Sequence, residues 1–385
     1  MKVLVLGGAG RIAREAALDL AVYGFFSRIT LADINGEAAA EVAKWINHTH
    51  VDSVELDIRD EQRALEYLRE YDLVMDATTI SLNETATRLI GLAGCHGVNL
   101  NGFGAEYAFD DMFRHHGKIM IPGFGMTPGI TNMMAKWVCD LLEEVDTVRI
   151  SHGAFRPVAF SRSIAETTLY EYDDNLPSRV VYENGKMIQV KPFARPLEVQ
   201  LPEPYGKTLQ FIIPHSETQT LADYLSNKNV KLIEVRGTWP EPNMRLLRAL
   251  YDFGFLSNEK INIGQNQIGI MDVIGEYLVQ SRSGKETELY GYALHVEITG
   301  KFEGKSVRHT LTHTHPPSDG SEKEWTALRA YTRNVGIPFA IAGHLIATDR
   351  FEGRGVCIPE RAFEPGGVFM ELARRGIMVH EKIVS

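Results

Sequence analysis

The chain has 385 residues, a formal net charge of −10 and a sequence pI of about 5.8. That length asks for two or three domains, and the acidic balance excludes nucleic acid as the main partner, because neutralising phosphates needs a basic surface. Hydrophobic residues at 44% and charged residues at 23% match an ordinary soluble enzyme, and no apolar run approaches the ~18 residues of a membrane span.

The first elements carry the strongest signal. Val3 to Leu6 is a short apolar run that reads as a buried parallel strand. Gly8-x-Gly10-x-x-Ala13 follows, and then a helix opens. This is the dinucleotide fingerprint: one small residue for a tight turn, one for backbone approach to a pyrophosphate, one for close helix–strand packing. The helix N-terminus, with Arg11 and Ile12, presents unpaired N–H groups to phosphate. Arg28 to Asp33 is the second strand, and its terminal acid falls near the ~20-residue gap expected for a ribose-binding carboxylate. Strands ending at Asp57, at Ala77, Thr78 and Thr79, and at Asn101 alternate with helices, and a further strand covers 118–122. Alternation means a parallel, doubly wound α/β sheet, a Rossmann domain. Ligands bind at the carboxyl ends of such strands, so Gly8, Gly10, Arg11, Ile12, Asp33, Asp57, Ala77, Thr78, Thr79 and Asn101 are the cofactor-binding candidates. The dinucleotide expected is NAD, since Asp33 repels a 2′-phosphate and Ile34-Asn35 supplies no arginine for one.

Gly123 to Asn132 is the second distinctive stretch. Thr127 reads as an N-cap and Pro128 suits a first helical turn. From Thr147 the pattern becomes alternating, at 147–152, 179–183, 210–213, 231–236 and 292–298, with hairpin turns at Asn184-Gly185 and Glu303-Gly304. This predicts a second, α+β domain with a mainly antiparallel sheet. Ser321 to Glu324 reads as a capping box, and Gly336 and Pro338 are expected to interrupt the helix that follows. The expected division is 1–122 with 330–385 for the nucleotide domain, and 123–329 for substrate binding and dimerisation. The strand faces of 292–298 and 308–315 need cover, which predicts a homodimer. Cys95, Cys139 and Cys357 lie far apart without metal spacing, and Gly7 breaks the first apolar run too early for a signal peptide; a cytoplasmic protein with reduced thiols is expected.

Three groups of polar residues stand out in the second half. His309, His313 and His315 alternate on one strand; with no carboxylate in the motif, a solvated or interfacial face is expected and no metal. His215, Ser216, Glu217 and Thr218 break off an apolar strand and suggest a pocket rim, with His215 and Glu217 as catalytic candidates. Arg156, Arg162 and Arg236 are candidate carboxylate anchors.

The Gly7–Ala13 turn, Leu31-Ala-Asp33, Pro128-Gly129 after Gly123, Asn184-Gly185-Lys186, Arg236-Gly-Thr238, Phe253 to Ser257, and the tail Gly353 to Glu360 with Arg375-Gly-Ile377 together resemble the saccharopine dehydrogenase-like family, which includes L-lysine 6-dehydrogenases. The resemblance implies a nucleotide domain split across the chain ends, an inserted substrate domain, and oxidation or reduction of a C–N bond beside a nicotinamide. Saccharopine enzymes carry Asn-Arg-Asp-Ser where this chain has His215 to Thr218, and their arginine holds a carboxylate. Ser216 stands in its place here, which turns the expectation toward lysine. The substrate-binding candidates are Gly102, Phe103, Thr127, Arg156, Arg162, Ser216, Thr218, Arg236, Gly237 and Thr238. The rival readings are a saccharopine-type reductase forming a secondary amine and a nucleotide-sensing protein without turnover.

Overall fold

The computed structural model describes residues 1–102, 104–257, 259–281, 289–315 and 324–384, so Phe103 and most of the expected capping box at Ser321 lie outside the described residues. The chain divides into two compact units: Met1–Trp137 with Thr332–Met378, and Val138–Tyr331 with Val379–Ser385.

The first unit is built on one parallel sheet. Its strands are β1 (Lys2–Leu6), β2 (Arg28–Asp33), β3 (Val51–Glu55), β4 (Leu73–Asp76), β5 (His96–Asn99), β6 (Ile119–Ile121) and the two-residue strand Gly355–Val356. From one edge the order is Gly355–Val356, β6, β5, β4, β1, β2, β3, as expected for a Rossmann sheet. β1 lies between β2 and β4, where the order reverses, and a ligand crevice forms at that point. Val3, Leu4, Val5, Leu31, Leu73, Val74 and Met75 are fully buried, which is why these strands read as unbroken apolar runs. Helices α1 (Arg11–Tyr23), α2 (Gly36–Ile46), α3 (Glu61–Leu68), α4 (Asn83–Ala93) and α5 (Asp110–His115) connect the strands. Asn35 caps α2 by accepting from the Ala38 N–H, and Asp60 caps α3 through Arg63.

Helix α6 (Ile130–Cys139) begins later than the sequence suggests. Thr127 and Pro128 precede it, and the Asn132 side chain accepts from the Gly129 N–H at 2.7 Å, holding the start of the helix. Gly129, at φ 121°, lies against the Gly125 backbone so closely that no Cβ fits. Asn132 also donates to Glu360 at 2.6 Å. The helix Glu324–Ala347 runs unbroken through Gly336 and Pro338, against expectation. Gly336 packs where a Cβ would lie 2.8 Å from Ile12 O and Glu15 Cβ, and Phe339 beside Pro338 is fully buried. Burial outweighs the hydrogen bond that proline removes.

The second unit carries a mixed sheet. Its strands are β7 (Glu144–Phe155), β8 (Val180–Glu183), β9 (Lys186–Gln189), β10 (Leu197–Gln200), β11 (Lys207–Ile212), β12 (Leu232–Thr238), β15 (Gly291–Phe302), β16 (Lys305–Thr314) and a closing strand His380–Val384; β13 (Lys260–Ile263) and β14 (Asn266–Gly269) form a separate hairpin. The main order is β10, β11, β12, β7, β15, β16, His380–Val384. Every pair along it is antiparallel except β12 with β7. Both expected hairpin turns form, with Asn184 and Gly185 at φ 47° and 86°, and Glu303 and Gly304 at 49° and 71°.

Three expectations are corrected. The nucleotide-side unit reaches Trp137 rather than residue 122, because α6 is tied to Gly129 and Glu360. The last strand leaves that unit and pairs with β16. The faces of 292–298 and 308–315 are not open: β15 lies between β7 and β16, and His309, Leu311, His313 and His315 are all buried. Glu381 on the closing strand supplies the carboxylate that the histidine row lacks, 2.6 Å from His309 Nδ1.

Candidate functional site

In the first unit the phosphate turn is set by sterics. Gly7 has φ 70°, and a Cβ there would lie 2.7 Å from Ala77 O; at Gly8 it would lie 2.8 Å from Leu31 Cβ. Gly8 donates to Ala32 O and Gly10 to Gly7 O, folding the turn back onto the sheet. A Cβ at Gly10 would crowd only Gly7 O, so this side of the turn is open, and α1 starts at Arg11 with no side-chain cap over its N–H groups. That is a cradle for pyrophosphate. Asp33 accepts from Ala9 N and Asn35 N, each at 3.0 Å, which fixes its carboxylate beside the turn.

The other rim residues differ among themselves. Thr78 donates to Asp76 Oδ1 from both its backbone N–H and its hydroxyl. Asp76 itself is fully buried; burial pushes its carboxyl up to about 6 against the Thr78 bonds that lower it. Thr79 bonds Ser81. Asn101 donates its backbone N–H to Asn99, and its side-chain nitrogen is buried without a partner. Gly102 follows at φ 69°. Beneath them Asn83, Asn99 and Glu106 form a buried hydrogen-bonded triad that also binds Gly104 N and Gly123 N, so it fixes the rim loops. Asp57 is given to Arg59 in an exposed ion pair, which holds its carboxyl below the usual range and leaves it less suited to a cofactor than expected.

In the second unit, alternation sorts the candidates onto two faces. β12 pairs Arg236 with Ser151 and Gly237 with His152. On the Arg236 face, Arg236 binds Glu234 at 2.9 and 2.8 Å and also the Arg195 carbonyl, while Arg149 binds Glu234 and Glu297. Arg236 is therefore a structural ion-pair residue and not a free carboxylate anchor. Thr238 turns its hydroxyl to Trp239 O. Arg162 is exposed and salt-bridged to Glu166, so it is no anchor either.

The opposite face gathers the histidines. His152 stacks on His215 (5.3 Å, 21°) and on Tyr292 (5.5 Å, 4°), and Tyr292 meets Tyr331 at 5.8 Å. Gly237 makes room: a Cβ there would lie 2.7 Å from His152 Nε2. Both ring nitrogens of His152 are buried without partners, and burial drives its pKa down to about 3, with the His215 charge adding to the effect. His215 Nδ1 lies 3.6 Å from Glu217 Oε2. Burial lowers the His215 pKa, but the bond and charge of Glu217, with Glu171, outweigh it, and the net shift is upward. Two adjacent imidazoles are thus pushed apart, one toward neutral and one toward charged. Ser216 occupies the N-cap position of α8 (Glu217–Tyr224) without a capping bond, and Thr218 is buried with an unpartnered hydroxyl. His313 pairs with Leu294, so the histidine row shares this face.

Arg156, two steps beyond Ala154 on the same face, is 4% exposed. It donates to Pro157 O, Val158 O and Thr168 Oγ1 and lies over the rings of Phe160, Trp239 and Tyr331 at 5.6, 5.6 and 5.1 Å. Its Nε is buried without a partner. Among the described residues, Arg156 alone of the three candidate anchors meets no carboxylate. His152, Tyr292 and Glu171 (the residue after helix α7, Arg162–Tyr170) were not singled out from sequence. His152 had a signal, falling in phase with Val148 and Ile150 on the buried face of its strand. A separate cleft of about 770 Å³, lined by Asp173, Asp174, Asp252 and Glu259 among others, holds none of the candidates.

Among the described residues no helix is long and apolar enough to cross a membrane, and no cluster of metal-ligating side chains forms. Residues 3–119 match the saccharopine dehydrogenase NADP binding domain and residues 125–377 the saccharopine dehydrogenase C-terminal domain. Saccharopine dehydrogenase (L-Glu forming) from Saccharomyces cerevisiae superposes over 100% of both chains with a TM-score of 0.76 at 15% identity, a likeness of fold. Carboxynorspermidine synthase of Vibrio cholerae serotype O1 is 23% identical over 165 residues, 42% of this chain and only 38% of that protein. The chain belongs to the saccharopine dehydrogenase family of oxidoreductases with a nicotinamide-nucleotide-binding domain.

Proposed function

We propose that the protein is an NAD-dependent dehydrogenase acting on the C–N bond of an amino acid that carries a second amine, of the L-lysine 6-dehydrogenase type. The observation that carries this reading is Arg156, a buried guanidinium that meets no carboxylate among the described residues, on one sheet face with the His152, His215 and Glu217 group. One carboxylate fits it; further carboxylates would find Arg236 already neutralised by Glu234.

The Gly8–Gly10 turn and the start of α1 would hold the pyrophosphate, and Asp33 the adenosine ribose. The bound nicotinamide supplies the acceptor for a hydride leaving the amine-bearing carbon. His215 takes the proton that the substrate ammonium must lose first, since only a neutral amine can release hydride from its carbon. Glu217 orients His215 and stabilises the imidazolium. Water then adds to the iminium carbon, giving an aldehyde and ammonia. The test is reduction of NAD by lysine and by saccharopine at equal concentration, in wild type and in Ser216→Arg. Lysine should win in wild type and lose ground in the variant. If saccharopine wins, the family's own name gives the second reading, a reductase forming a secondary amine. Binding of NAD without turnover of any amine would leave only the nucleotide-sensing reading.

Two predictions follow from single residues. Replacing Asp33 with alanine should weaken NAD more than NADP, because the carboxylate both accepts from ribose and repels a 2′-phosphate; comparable efficiency with both cofactors in wild type counts against it. Because the pKa of His215 is raised, kcat/KM should rise with pH through a limb above the ordinary histidine value of about 6.5. Glu217→Gln should move that limb to lower pH, and a limb that stays put removes Glu217 from the mechanism.

The molecule is further proposed to be a homodimer through the second unit and to work in the cytoplasm. Phe253, Phe255, Ile261, Ile263, Val273 and Tyr277 are large apolar side chains exposed on that unit, of the kind that an identical subunit covers. Light scattering showing only monomer at micromolar concentration would exclude it.

A further inference from the structure

We propose that Trp239 is a substrate-binding residue, its indole N–H and the Nε–H of Arg156 together seating one carboxylate of the substrate. This rests on the reading of the protein as an amine dehydrogenase.

Trp239 directly follows β12. Gly237 is in register with His152, and alternation carries residue 239 to the same face as Gly237. Arg156 lies on that face too, four residues beyond His152. The side chains meet as this placement requires: the Arg156 Cζ is 5.6 Å from the centroid of the Trp239 ring. Helix α9 (Glu241–Asp252) begins just after Trp239 and ties the two segments together. Its buried Asn243 donates to the Arg156 carbonyl at 2.9 Å. Tyr172 packs on the indole as well, with ring centroids 6.0 Å apart, and Trp239 is 5% exposed.

Two nitrogens in this place are buried without a partner among the described residues, Arg156 Nε and Trp239 Nε1. The Nη atoms of Arg156 are already spent on Pro157 O, Val158 O and Thr168 Oγ1. Buried polar atoms are nearly always hydrogen-bonded, because an unpaired one carries its whole desolvation cost. Two such atoms on neighbouring side chains point to a ligand that pairs both. Indole N–H and guanidinium are donors only, so the ligand accepts. The guanidinium charge makes it an anion, and its planar edge matches a carboxylate. An oxygen lies about 2.9 Å from each N–H that it accepts from, so donors up to about 5.8 Å apart can share one oxygen, and a carboxylate reaches further with two. A guanidinium 5.6 Å from an indole centroid is on that scale. The other sheet face gives the contrast. There Arg236 and Arg149 meet Glu234 and Glu297, and these charges are satisfied by one another.

The test is Trp239→Phe in the full chain with NAD, assayed with lysine and with cadaverine, which has no carboxylate. Phenylalanine keeps a ring against Arg156 and Tyr172 and removes the donor. KM for lysine should rise about thirtyfold, the scale of a hydrogen bond to a charged group, with kcat little changed. Cadaverine should change by less than about threefold. Equal losses on both substrates mean a packing role and overturn the proposal, as does an unchanged KM for lysine. A second measurement needs no turnover. The chain has four tryptophans, so their indole N–H signals are few in a magnetic resonance spectrum of isotope-labelled protein, and the one missing from Trp239→Phe is that of Trp239. With NAD bound, lysine and 6-aminohexanoate should move that signal downfield, and cadaverine should not. If no amine is oxidised, the functional reading fails, and this signal decides the carboxylate seat alone. A shift with 6-aminohexanoate and none with cadaverine supports it. No shift of any indole signal with lysine, 6-aminohexanoate or saccharopine overturns it, whether or not the variant folds.

Discussion

Replacing Arg156 with glutamine is expected to lower kcat/KM for lysine by about a thousandfold while leaving cadaverine within a few fold. The substrate carboxylate would enter a setting of aromatic rings and backbone carbonyls with no cation to meet it. Truncating one partner of a buried charge pair costs about 2–5 kcal/mol, and about 4 kcal/mol is a thousandfold. Cadaverine has no carboxylate and should barely register the change. Arg156→Lys should not rescue. The guanidinium uses three acceptors, Pro157 O, Val158 O and Thr168 Oγ1, while its Nε has no partner, and its Cζ lies 5.6, 5.6 and 5.1 Å from three ring centroids. A lysine ammonium offers three donors in all and no plane. Arg162→Gln is the control, since Arg162 is exposed and paired with Glu166. Initial rates of NAD reduction measure this, and a lysine/cadaverine ratio unchanged in Arg156→Gln would sink the assignment.

The contrast among the three arginines marks the limit of the sequence. Glycine spacing, strand alternation and the acid at Asp33 reflect local sterics and period, so the parallel sheet, its turn and both hairpins could be read from residues alone. Which arginine is left without a carboxylate depends on which side chains share its face once the sheet and helices have formed. Arg236 is cancelled by Glu234 two residues away, in register with Ser151 and not with His152. No local pattern distinguishes that arrangement from a free anchor. His152 was legible in principle, because its phase placed it inside with Val148 and Ile150. The histidine row was misread because its covering strand, His380–Val384, lies at the other end of the sequence. Pro338 was misread because burial of Phe339 and the fit of Gly336 against α1 override helix propensity. The family's tail motif is explained by the same long reach: Glu360 meets Asn132, and Arg375 returns to the first helix.

Arg375 is the site of the largest expected loss of stability. It binds Asp19 on α1 through two bonds, 2.7 and 2.8 Å, and Glu371 at 2.8 Å, and lies 4.4 Å over the Tyr23 ring. The Arg375 and Glu371 side chains are each 2% exposed, and that of Asp19 is 5% exposed. Arg375→Met keeps the volume and the apolar stem but strands the buried Asp19 carboxylate and takes one partner from Glu371, which keeps Arg350 and Arg374. Breaking such a pair costs about 3–5 kcal/mol, which for a unit of this size is a fall in Tm of roughly 10 °C. Replacing the pair together, Asp19→Leu with Arg375→Met, should recover much of it, because well-packed apolar residues often equal a buried ion pair. The pH dependence has a definite sign. Despite burial, bonds to Arg350 and Arg375 hold the Glu371 carboxyl down at about 2. A depressed acid contributes stability that is present above its unfolded pKa of about 4.3 and is lost as pH falls through about 2. Asp19 is shifted the other way: burial raises it in spite of Arg375. Without Arg375 it rises further, and its penalty is relieved as pH falls through that higher value. The gap between Arg375→Met and wild type should therefore be widest near pH 7 and narrow toward pH 5. Scanning calorimetry at both values measures it, and a Tm within 2 °C of wild type at pH 7, or a gap that widens on acidification, would refute the assignment.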